Sequence, residues 1–397
     1  MRSAARLERL GTEQAYVVLG AAKRLEAAGH KVVHLEIGEP DMPTPPHVVE
    51  AGVRALRDGL TRYALAAGVP ELRDAIARSL AMRGVRGGGT AENVVVTPGA
   101  KPMLFCTALA LIEPGDEVLC PDPGFPIYES VVRFAGGRPV YYPLDESHHF
   151  APQLDAVAER ITPRTRALIL NLPHNPTGGV ATPRDLETLA ELSLRHDLWV
   201  ISDEVYGRIR YDGHCDSIAA LPGMAERTVI VDGFSKAYSM TGWRLGYGVM
   251  PAWLTEPMTR LVINNVSCTA TFVQYAGLAA LSGPQDAVTN MVTGLEAKRD
   301  LLVRGLNGID GITCASPAGA FYCFPDIRGV LERTGLSCES FAERLLAEQH
   351  TAVLAGTAFG PGGVGHLRLC YATAPAELEQ ALAAFRRFVG ALSPVPA

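Results

Sequence analysis

Several familiar features are missing from this chain. No segment reaches the roughly 18 consecutive apolar residues of a membrane-spanning helix, and the opening MRSAARLERLGTEQ lacks the apolar stretch of a secretory signal. The cysteines Cys106, Cys120, Cys215, Cys268, Cys314, Cys323, Cys338 and Cys370 contain no CxxC pair and no metal-ligand spacing, so neither disulfides nor zinc is expected. There is no basic run or stripe, and the net charge is -6, which removes the electrostatic footprint of a nucleic-acid or anionic-membrane binder. Lysine is scarce: Lys23, Lys31, Lys101, Lys236 and Lys298 are all there are. The expectation is a cytoplasmic, metal-free protein that acts on small molecules.

What is present fits a globular protein of 397 residues, with 48% hydrophobic and 20% charged residues. Single cores stop growing at about 250–300 residues, so two lobes are expected. An amphipathic helix is read over 13–28, closed by Gly29, followed by a short strand in KVVHLEIG and a proline-rich loop, GEPDMPTPP. From there helical patterns alternate with short apolar runs at 94–97, 117–120, 166–171, 198–203 and 228–232. Such runs indicate a mostly parallel sheet covered by helices on both faces. After residue 285 come a helix over 286–307, the strand-like AFYCF, a helix in FAERLLAEQH, the runs TAVL and HLRLCYA, and a final helix from about 375. The predicted fold class is therefore α/β, with a large domain over 46–285 and a smaller α+β domain assembled from 1–45 and 286–397. RGVRGGGT at 83–90 reads as a flexible surface loop.

Parallel sheets bind ligands beyond the carboxyl ends of their strands. Here those ends carry GAK, NLPHNPTG, SDEVY and DGFSK. Lys236 of DGFSK stands just past a buried strand, with Arg244 eight residues on. An amine there can bond a carbonyl compound covalently while a guanidinium holds an anion such as a phosphate. By spacing alone, Lys236 reads equally well as a surface lysine in a glycine-rich turn.

The whole set of motifs supplies context. SKAYSMTGWRLG, preceded by NLPHNPTG and SDEVYGRI and followed by HLRLCYAT, closely resembles the class I aminotransferases, fold type I enzymes dependent on pyridoxal 5'-phosphate (PLP), and among them the bacterial aspartate-aminotransferase-like members. The resemblance runs from HLEIGEPD to the last strand. It implies that Lys236 holds PLP as a Schiff base and moves the substrate proton. It further implies that Asp203 pairs with the pyridine nitrogen and that Tyr206 and Asn175 donate to the ring's phenolic oxygen. Gly99, Ala100 and Lys101 at a helix start, with Ser235 and Arg244, correspond to the phosphate cup. Phe125 corresponds to the aromatic stacked on the ring. Tyr63 corresponds to a tyrosine that reaches the neighbouring subunit's cofactor, which implies a homodimer.

For the substrates, an amino acid and a 2-oxo acid, the resemblance assigns Arg368 to the α-carboxylate, aided by Gly38 and Asn175. The side-chain pocket stays open. Lys101 corresponds to a lysine that reads a distal carboxylate in some aspartate-active relatives, but RLVINNVSCTATF offers no counterpart of the arginine that others receive from their partner. Tyr16, Ser267 and Thr269 are further candidates, and His174 is a candidate for tuning the site. The expected reaction is ping-pong amino transfer. Elimination, replacement, decarboxylation or oxidation on the same scaffold is the alternative. A PLP-sensing regulator would carry a DNA-binding helix-turn-helix, which this sequence does not display.

Overall fold

Five of the apolar runs become strands of one seven-stranded sheet in the computed structural model, which describes residues 3–85, 89–212 and 217–393. The strands are β1 (Val94–Thr97), β2 (Glu117–Asp122), β3 (Arg138–Pro143), β4 (Thr165–Asn171), β5 (Trp199–Asp203), β6 (Thr228–Gly233) and β7 (Gly246–Val249). Their spatial order is β1-β7-β6-β5-β4-β2-β3. Only β7 runs against its neighbours.

Alternation along the strands divides their side chains between two apolar layers. Val95, Val118, Ala167, Ile169, Ile201 and Val231 pack with residues of helices Ala100–Leu111, Ile127–Ala135 and Ala252–Val266. Val94, Val96 and Ile230 pack with helices Pro46–Arg57, Pro70–Met82 and Thr271–Ser282, while Leu119, Leu168, Leu170 and Val200 meet helix Pro183–Arg195. With both faces covered, the strands need apolar residues at every position, and each fully buried Val, Leu or Ile contributes about 1.5–3 kcal/mol.

Strands β3 and β7 were not expected from the sequence. β3 is an edge strand containing Pro139 and Pro143, residues that count against a strand except at an edge. β7 reads GYGV, and its glycines are required by close packing. A Cβ on Gly246 would lie 2.4 Å from the Ala100 nitrogen, and one on Gly248 would lie 2.5 Å from the Met103 sulfur.

Residues beyond 285 follow the expected order: helix Asp286–Asn307, strand Tyr322–Cys323, helix Cys338–Gln349, strand Leu367–Cys370 and helix Pro375–Ala391. The strand expected in KVVHLEIG is only Val33–His34, paired in parallel with Thr351–Ala352. Helix Gln14–Ala27 packs through Ala22 against Leu346 and Ala352. Of the loop expected at 83–90, residues 86–88 lie outside the described residues. Arg83 is not a solvated loop residue: its Nη2 donates to Glu204 Oε2 at 2.5 Å in the protein interior. Cys215 also lies outside the described residues, and the other seven cysteines are free.

Candidate active site

The ends of β4, β5 and β6 and the start of helix Ala100–Leu111 open into a cleft of about 510 Å³. Gly38, Ala100, Lys101, Phe125, Asn175, Asp203, Tyr206, Ser235, Lys236, Arg244 and Arg368 all line it, as does Tyr16. Residues more than three hundred positions apart in the chain therefore meet at one place.

Lys236 donates from Nζ to the Gly38 carbonyl at 2.6 Å. Gly38 has to be glycine, because a Cβ there would lie 1.9 Å from the Tyr322 hydroxyl. Burial lowers the Lys236 ammonium to about 8, and the charges of Arg368 and Lys101 push in the same direction. A lysine of this kind exchanges its proton near neutral pH.

Asp203 ends β5 with its carboxylate buried. Burial raises it to about 6, although Oδ2 accepts from the Tyr128 hydroxyl at 2.7 Å and Oδ1 from the Val205 amide at 3.3 Å. Asn171, at the end of β4, donates from Nδ2 to the Asp203 carbonyl at 3.1 Å and accepts the Asn175 amide at 2.8 Å. Asn175 Oδ1 in turn accepts from Arg368 Nη1 at 3.3 Å. Arg368 also donates to the Glu36 carbonyl, and its guanidinium lies 4.6 Å from the Tyr322 ring centroid and 5.0 Å from that of Phe359. Tyr206 and Tyr322 share a hydroxyl hydrogen bond of 2.7 Å.

On one side of the cleft a helix start meets a guanidinium. Gly99 precedes helix Ala100–Leu111 at φ 98°, and a Cβ there would lie 2.4 Å from Arg244 Nη2. Glycine thus lets the guanidinium lie against a helix start whose first N–H groups have no partner within the helix. Arg244, itself left-handed at φ 57°, is steadied by donation to the Thr241 carbonyl at 2.9 Å, and Ser235 lines the same cleft.

Some candidates lie elsewhere. Ser267 and Thr269 do not line the cleft, and Tyr63 is 89% exposed. His174 is buried behind its loop, hydrogen-bonded to Thr177 Oγ1 at 2.8 Å and held down to about 3 by burial, so it is neutral and does not face substrate. Tyr128, Tyr322, Asn171 and Glu13 line the cleft without having been singled out from the sequence. Outside it, Glu146, Asp326 and His366 come together, with Asp326 already paired to Arg328.

The donor set fits PLP. Asp203 and Arg368 are buried, their side chains meet neutral groups (the Tyr128 hydroxyl and Val205 amide; the Asn175 amide oxygen and Glu36 carbonyl), and Arg368 Nε has no hydrogen-bond partner among the described residues, an arrangement that is costly unless a ligand supplies the opposite charges. A pyridinium suits the first, a carboxylate suits the second, and the helix start beside Arg244 suits a phosphate.

Residues 30–385 match the family model for aminotransferase class I and II. The chain belongs to that family. It is 40% identical over 385 residues to an aspartate aminotransferase of Musicola paradisiaca, covering 96% of this chain and 95% of the relative. It is 39% identical to aromatic-amino-acid aminotransferase 2 of Thermococcus litoralis, covering 95% of each. The crystal structure of an aspartate aminotransferase from Rhizobium meliloti superimposes with a TM-score of 0.93 at 36% identity, covering 99% of this chain and 100% of that one. This aminotransferase therefore uses PLP to pass an amino group from an amino acid to a 2-oxo acid, and its relatives do not favour elimination or oxidation as the outcome.

Proposed function

We propose that Lys236 is the amine that carries PLP and the base that takes the proton from the substrate's Cα. The observation that supports this most directly is the pair of unmatched buried charges, Asp203 and Arg368, lining the same cleft as a lysine lowered to about 8. PLP, when bound, supplies an electron-withdrawing ring that accepts the electron pair left at Cα.

The protein's own groups divide the remaining work. Asp203 holds the charge of the ring nitrogen, and Tyr128 keeps that carboxylate ionised and aimed. Tyr206 and Asn175 donate to the ring's phenolic oxygen, while Phe125 covers the ring face. Gly99, Ala100, Ser235 and Arg244 hold the phosphate, with Lys101 adjoining them. Arg368 takes the α-carboxylate through a planar fork, a geometry a lysine cannot reproduce.

The active unit in this proposal is a homodimer. Tyr63 stands 89% exposed and does not line its own cleft, as expected of a side chain given to a partner's phosphate. The large domain spans 46–285 and the small one 1–45 with 286–397, in keeping with the separate sheet formed by Tyr322–Cys323, Leu354–Ala355 and Leu367–Cys370. The seven free cysteines support a reducing, cytoplasmic setting.

The deciding experiment is Lys236→Ala, reconstituted with PLP. Loss of the bound cofactor's characteristic absorbance together with loss of glutamate formation from 2-oxoglutarate is expected. An active Lys236→Ala enzyme overturns the assignment. For the dimer, sedimentation gives the mass, and Tyr63→Phe is expected to weaken PLP retention without changing that mass.

A further inference from the structure

One side of the cleft holds an ion pair between Lys101 and Glu13. Lys101 Nζ is bonded to the Glu13 carboxylate and lies 5.9 Å from the Tyr16 ring centroid and 5.5 Å from that of Phe125. Glu13 immediately precedes helix Gln14–Ala27, and its segment is anchored where the Gly11 amide donates to Ser130 Oγ at 2.9 Å. The acid is the more deeply set partner, its side chain 17% exposed against 42% for Lys101. Both residues line the cleft with Lys236 and Arg368.

We propose that Glu13 is a specificity-determining residue: an internal carboxylate that occupies Lys101 and turns the pocket toward amino acids with uncharged side chains. This rests on the cleft being the substrate site described above. With Arg368 reading the α-carboxylate, Lys101 is the cation available to a second carboxylate, and Glu13 has already matched it. A dicarboxylic substrate must break that pair and also approach the displaced acid, a like charge. An aromatic or aliphatic side chain meets the pocket as built, between Tyr16, Phe125 and Leu19. Ping-pong transfer with a dicarboxylic oxo acid remains open to the enzyme, at reduced efficiency. Pairs as exposed as this one are worth roughly 1.4- to 5-fold in an equilibrium, so the bias is graded, and removal of the like charge adds to the gain.

The test compares PLP-loaded wild type with Glu13→Gln and Glu13→Ala. Each is mixed with aspartate, glutamate, alanine, leucine, phenylalanine and tyrosine, and the half-reaction is followed by the change in cofactor absorbance. Wild type is expected to favour the best uncharged donor. Both variants should raise the ratio of dicarboxylate to uncharged kcat/KM more than twofold, mainly through a lower KM for aspartate and glutamate. The inference is overturned if wild type favours the dicarboxylates tenfold or more, or if the ratio stays within twofold in both variants. Failure of the underlying site reading looks different: no amino acid alters the cofactor absorbance of wild type at all.

Discussion

The deep part of the cleft stands on buried strands, whereas its mouth stands on a helix start and an N-terminal segment. Asn171 and Asp203 are the last residues of β4 and β5, and Lys236 follows β6 by three positions. Glu13, Tyr16 and Lys101 meet across a helix boundary, with Tyr16 64% exposed. The first group is positioned by a fully packed sheet and can keep costly charges in place. The second is held by one partly exposed ion pair and a few contacts, so it can vary from one relative to another without disturbing the chemistry. Relatives that act on different side chains, one an aspartate enzyme and another an aromatic-amino-acid enzyme, fit that division.

Removing the amine proposed to carry the cofactor is the harshest way to break the comparison. Lys236→Ala should lower kcat by about 10³-fold or more, given that proton transfer by a positioned side chain is worth roughly 10²–10⁴. Arg368→Lys comes next: loss of the planar fork should raise KM for every donor about 10- to 100-fold, since a hydrogen bond to a charged group contributes about 1.5–3 kcal/mol. Steady-state kinetics separates the two by which parameter moves.

A third effect concerns stability without cofactor. Burial raises Asp203 from its ordinary value to about 6, so between those two values the native apoenzyme holds a proton that the unfolded chain has released. That contribution is present below the unfolded value and is lost as pH rises through about 6. Asp203→Asn should therefore stabilise the apoenzyme by about 3 kcal/mol at pH 8 and by almost nothing at pH 4, measured by urea unfolding, while abolishing efficient turnover of the holoenzyme. Absence of any pH dependence in this difference would mean that the deep charges are not held at a cost. The smallest expected change is in Tyr128→Phe, which removes one hydrogen bond from Asp203. About 0.5–1.5 kcal/mol, or a 2- to 12-fold fall in kcat/KM, should follow, with the pH profile shifted as Asp203 rises further.

The same division governs what the sequence disclosed. β1, β2, β4, β5 and β6 are visible because strands covered on both faces need unbroken apolar runs, and the roles of the motif residues at their ends are legible only through the resemblance of the whole set to a known family. β7 was hidden because tight packing against Ala100 and Met103 demands glycine, which reads as a turn. Tyr128 is not legible in the sequence because nothing local distinguishes a core tyrosine from one whose hydroxyl donates to Asp203, 75 residues on. Glu13 and Lys101 lie 88 positions apart, and neither sits in a pattern that announces the other. Contacts of this kind are set by how the N-terminal segment crosses the cleft, which no periodicity records.

Gly99, Arg244 and Gly246 form a stack shaped by absent atoms. On the side formed by Gly99 and Gly246 there is no side chain to shorten, and a methyl added at either would strike Arg244 or the backbone of Gly99 and Ala100. Room on that side can come only from moving the start of helix Ala100–Leu111, and with it the antiparallel strand on which it rests.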